Sequence, residues 1–75
     1  MKIRNVGSNM TELHTTLGAV VLFSYETPVA AENTDGELFR TETHYSPTTS
    51  RHINKWLDGR TARTVSQHVI DNFAL

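Results

Sequence analysis

The chain contains no cysteine. Neither a disulfide framework nor a thiolate zinc site can therefore support it, and stability has to come from packing or from a partner subunit. Long apolar runs are missing too. The longest, Ala19 to Phe23, is five residues, against the ~20 that cross a bilayer, so no membrane partner is expected. No charged-then-apolar leader is read at the start, which makes a cytoplasm the expected setting. Charge of one sign is also scarce. Seven Lys and Arg stand against eight Asp and Glu, a formal net charge of -1, which argues against a uniformly basic nucleic-acid coat and against an acidic tail. There is no glycine-rich phosphate loop, no internal repeat and no low-complexity linker, and no cofactor is expected.

What is present suits one small domain spanning residues 1–75. A composition 37% hydrophobic and 20% charged is that of an ordinary globule with a modest core. Ile3, Val6, Met10 and Leu13, with Gly7-Ser8-Asn9 among them, suggest a first strand, a turn and the start of a second. Gly18 supplies the positive φ of a hairpin turn. The stretch Ala19–Tyr25 follows, dense in β-branched and aromatic residues. Val20 and Leu22 alternate with Val21, Phe23 and Tyr25, which makes it a central strand apolar on both faces. Pro28 removes a ladder donor, so Val29-Ala30-Ala31 reads as an edge strand. Asn33-Thr34-Asp35-Gly36 is the strongest turn signal. Leu38–Tyr45 then alternates cleanly, with Phe39, Thr41, Thr43 and Tyr45 on a buried face and Arg40, Glu42 and His44 on a wet one.

A helix follows. Ser46-Pro47-Thr48-Thr49 offers N-caps and a proline suited to a first turn, and Gly59 a C-terminal stop. At ~100° per residue, Ile53, Trp56 and Leu57 share one side while Arg51, Lys55 and Asp58 share the other. Arg60 to Arg63 reads as a polar connector. A second short helix starts at Thr64 or at Ser66, with Val65, Val69, Ile70 and Phe73 as its apolar stripe. The expected fold is α+β: a small antiparallel sheet of four or five strands, then two short helices packed on one face.

Charge is polarised along the chain. Residues 1–50 hold three cations against six anions, and residues 51–75 four cations against two anions. Arg51, His52, Lys55, Arg60 and Arg63, with Trp56 interleaved, form a candidate binding surface that could track phosphates and stack a base. The bland alternative is that Trp56 is core and the charges solvate the outer face. A metal site from Glu42, His44 and His14 has no recognised ligand spacing. A catalytic trio of Ser50, His52 and Asp58 would need one short helix to aim all three groups. No catalytic residue, metal ligand or enzyme activity is therefore expected.

Three blocks carry a further signal: Val6-Gly7-Ser8-Asn9, Ser24-Tyr25-Glu26-Thr27-Pro28-Val29-Ala30-Ala31, and Tyr45-Ser46-Pro47-Thr48-Thr49-Ser50-Arg51-His52-Ile53-Asn54-Lys55-Trp56-Leu57. Together they resemble a family of very short, uncharacterised proteins encoded in tailed-bacteriophage genomes. The resemblance implies a setting, a phage gene product inside an infected bacterium, and no residue roles. The expected function is a non-enzymatic accessory protein that binds and modulates a host or phage protein. Nucleic-acid binding through residues 48–63 is the alternative. A homodimer could form through the sheet edge near Pro28 to Ala31.

Overall fold

The computed structural model describes residues 2–74. Six strands, β1 (Lys2–Gly7), β2 (Met10–His14), β3 (Val20–Ser24), β4 (Thr27–Glu32), β5 (Leu38–Thr41) and β6 (Arg63–Val65), are joined by two helices, α1 (Pro47–Leu57) and α2 (Gln67–Phe73). The sheet follows chain order from β1 to β6. Its first five strands form an antiparallel meander. β6 instead lies parallel to β5, with Phe39 opposite Arg63 and Thr41 opposite Val65.

The turns sit where their chemistry demands. Asn9, at φ 60, closes the β1–β2 hairpin, and Gly18, at φ 95, closes the next. In the β4–β5 turn the Asn33 side-chain carbonyl accepts from the Asp35 and Glu37 amides, a local substitute for ladder bonds. β3 is third of the six strands, and its alternation sorts the core. Leu22 packs with Met10, Val29, Ala30, Leu38, Ile53 and Leu57. Val21 packs with Leu13, Ala31 and Ile70 on the opposite side.

Alternate residues of a strand point to opposite faces, so α1 and α2 cover opposite faces of the sheet. The expected fold is corrected here in three respects. The described residues form six strands rather than four or five, the sheet is mixed, and the helices flank it instead of sharing a face. The class remains α+β. A strand apolar on both faces needs cover on both, and one short helix supplies each side.

Two local expectations also change. Val29-Ala30-Ala31 is not an edge: β4 lies between β3 and β5, and all three residues are fully buried. Pro28 is accommodated by a bulge that leaves Val29 as the extra residue between the Phe23–Pro28 and Leu22–Ala30 pairs. The homodimer edge expected there is thus already occupied within the chain. β5 ends at Thr41, not Tyr45, because the Thr41 hydroxyl accepts from the Thr43 amide and folds the chain away. Thr43 and Tyr45, expected on a buried face, are exposed.

α1 starts and stops as its sequence implies. Ser46 is the N-cap, its hydroxyl accepting from the Thr49 amide at 3.1 Å, Pro47 occupies the first turn, and Asp58 ends the helix in the left-handed region. Ile53 and Leu57 are buried, each worth about 1.5–3 kcal/mol of apolar transfer. For α2 the Ser66 start is the one adopted. Gln67 reaches back to donate to the Pro28 carbonyl at 2.7 Å, which ties α2 to the β4 bulge.

Candidate functional site

The five basic-helix residues do not form one surface. Arg51 and Lys55 are exposed, one turn apart on the outside of α1. Arg60 folds back, donating from Nε to the Leu57 carbonyl and from a terminal nitrogen to the Trp56 carbonyl, both at 2.9 Å. Its guanidinium lies 5.6 Å from the Trp56 ring centre. It closes the helix C-terminus, where a cation and its donors suit the orphan carbonyls.

Arg63 is exposed on β6 opposite Phe39. Paired residues share a face, and Phe39 packs in the α2 cluster, so Arg63 faces away from α1. His52 is half-buried: its Nδ1 lies 2.7 Å from the Ser24 hydroxyl, and its ring sits 5.8 Å from that of Tyr25. Two cations therefore remain free on the α1 exterior. The connector expected at Arg60 to Arg63 ends in a strand instead.

The Ser24–His52 contact has the separation of a nucleophile and base, yet Ser24 is only 2% exposed. Its hydroxyl also lies 3.1 Å from that of Thr49, which in turn accepts from Ser46. The chain of hydroxyls pins α1 to β3. Ser50, near His52 in sequence, contacts His44 at 3.4 Å. Among the described residues no group of three His, Asp or Glu converges as a metal site.

Trp56 is half-buried at the rim of the α1 core and does more than pack. Its indole N–H donates to Glu12 Oε2 at 2.7 Å, while Glu12 Oε1 lies 3.0 Å from His14 Nε2. Burial alone would raise the Glu12 carboxyl. The Trp56 and His14 contacts and the charge of Arg4 together outweigh it and hold the group below its ordinary range.

Sequence reasoning missed the other side. α2 packs chiefly on β3, β4 and β5 and buries Leu13 of β2, so the part of that face built by β1, the Thr11 end of β2 and the end of β3 lies beyond it. Ile3 is 74% exposed and Tyr25 53% exposed. With Thr11, Leu13 and Phe23 they line a shallow depression of about 210 Å³. Beside it runs β1, the outermost strand, whose outward backbone groups have no partner strand among the described residues. The signal was present as Lys2-Ile3-Arg4, an alternating triplet with its apolar residue unclaimed by either helix. Isolated exposed apolar residues are ordinary. Here they adjoin a free strand edge.

The family comparison covers nearly all of these elements: residues 1–72 match a family of unknown function, DUF8033. The chain belongs to that family. Its description names neither a source nor an activity, where the sequence blocks had suggested a phage family. No curated protein and no solved structure matches the chain.

Proposed function

We propose that this chain is a small non-enzymatic accessory protein that binds and modulates another protein through the open half-face of β1–β3. A phage setting, with a host or phage protein as partner, is part of the proposal and rests on the resemblance of the three sequence blocks. The observation that carries the reading is the pairing of an uncovered apolar depression at Ile3, Phe23 and Tyr25 with the adjoining free edge of β1. Apolar anchors supply affinity and an open strand edge supplies directional backbone hydrogen bonds, which is the combination used in strand addition. The nucleic-acid alternative is weakened by the dispersal of its cations: Arg60 is engaged with backbone carbonyls and Arg63 faces the other side. The two cations left on the exterior of α1 itself support only weak, salt-sensitive phosphate binding.

Capture from bacterial lysate on the immobilised chain separates the two. The protein-partner reading predicts a specific protein retained by the wild type and by Arg51→Glu/Lys55→Glu, and lost with Ile3→Glu. An electrophoretic shift of DNA or RNA that disappears with rising salt and with Arg51→Glu/Lys55→Glu would decide for nucleic acid.

A further inference from the structure

Lys2, Ile3, Arg4 and Asn5 are all exposed along the β1 edge. The far end of that edge is closed, because the Gly7 amide donates to the Asn5 side chain at 3.0 Å and the register shifts between Asn5 and Gly7. Lys2 and Arg4 lie opposite His14 and Glu12, on the α1 side of the sheet, while Ile3 lies opposite Leu13, on the α2 side. Two cations thus stand about 6.6 Å apart along the strand, with an apolar residue between them pointing the other way. Among the described residues the only side-chain ion pair within 4 Å is His14 with Glu12, so neither cation holds a carboxylate at contact distance, and Arg4 acts on Glu12 only at longer range. Glu12, the acid nearest Arg4 in register, already gives its two oxygens to Trp56 and His14.

Resting on that reading of the open half-face, we propose that β1 accepts a seventh strand from a partner protein, an extended segment with the pattern acid, apolar, acid. Its two carboxylates stand opposite Lys2 and Arg4, and the apolar residue between them stands opposite Ile3, at the mouth of the depression lined by Leu13, Phe23 and Tyr25. Opposite charges directly across a ladder are favourable and like charges are not. The same rule disfavours a second copy. Two β1 strands paired antiparallel about Ile3 would bring Lys2 of one copy against Arg4 of the other. Nor can the chain supply the segment itself, since its only acid-x-acid triplet, Asp35-Gly36-Glu37, is held in the β4–β5 turn.

The test is a titration of the full ¹⁵N-labelled chain with two blocked hexapeptides, Thr-Glu-Val-Glu-Val-Thr and Thr-Lys-Val-Lys-Val-Thr, followed by amide shifts. The acidic peptide should perturb Lys2 to Asn5 and bind about tenfold more tightly than the basic one. Lys2→Glu/Arg4→Glu should reverse the preference. Lys2→Gln/Arg4→Gln, which places no new charge beside Glu12, should erase it. Equal binding of the two peptides, binding of neither, shifts centred on α1, or a dimer that dissociates on Ile3→Glu would each overturn the proposal. A captured protein lost with Ile3→Glu but retained by Lys2→Gln/Arg4→Gln would overturn the acidic strand and leave the open half-face standing. A protein retained by both variants would overturn both.

Discussion

Replacing Trp56 by Phe isolates the contact that joins α1 to β2. Phe keeps most of the ring at the core rim and removes the indole N–H, which lies 2.7 Å from Glu12 Oε2. Glu12 is only 17% exposed, so water replaces that donor poorly. A hydrogen bond to a charged group is worth about 1.5–3 kcal/mol, and in a domain of this size each kcal/mol lowers Tm by about 4–8 °C. The loss should also depend on pH. In the folded chain the Glu12 carboxyl lies below its ordinary value of 4.5. Its stabilising contribution is therefore full above that value and fades as pH falls through the lower folded one. Trp56→Phe removes one cause of the lowering, so the gap between variant and wild type should be widest near neutral pH and narrow below about pH 4. Urea unfolding followed by far-UV circular dichroism at both pH values measures it, and a cycle with Glu12→Gln assigns the coupling to the pair. An unchanged urea midpoint, or a loss of equal size at both pH values, would refute the reasoning.

Other substitutions test the two-faced core and the locks on α1. Ile53→Ala and Ile70→Ala, from buried sites on opposite faces, should each cost about 2–5 kcal/mol. Their effects in denaturant should add within about 0.5 kcal/mol, since they share no core cluster. Ser24→Ala removes the partner of both His52 and Thr49. It should cost about 1–3 kcal/mol and loosen the first turns of α1, read as faster amide exchange there. Arg51→Ala, on an exposed position, should leave stability within about 0.5 kcal/mol. A larger change in its urea midpoint would show that Arg51 is structural.

The local elements were legible because their signals are short-range. Ser46-Pro47 and Gly59 bound α1, Asn33–Gly36 makes its turn, and Ala19–Tyr25 alternates as a strand apolar on both faces. What eluded sequence reading depends on distant partners. Arg63-Thr64-Val65 has one apolar residue and becomes a strand only because β5 offers a parallel edge. Pro28 resembled an edge residue because nothing local reveals the bulge at Val29 or the Gln67 side chain that caps the Pro28 carbonyl. The double-sided pattern of β3 already required cover on both faces, and assigning both helices to one face left Val21 without any.

The candidate site was legible only in part, for a related reason. Arg51 and Lys55 share the exposed side that helical spacing gave them. The fates of Arg60 and Arg63 were decided by carbonyls and by strand register, which sequence spacing does not encode. Ile3 looked like an ordinary strand residue, and its exposure follows from α2 lying over β3–β5 and leaving β1 uncovered.

Hydrogen exchange on the chain bound to its captured partner tests the central claim most directly. Slowed exchange at Lys2 to Asn5 and around Phe23 to Tyr25, with Arg51 to Lys55 unchanged, is the predicted result. Protection confined to α1, with the β1 edge exchanging as in the free chain, would contradict it.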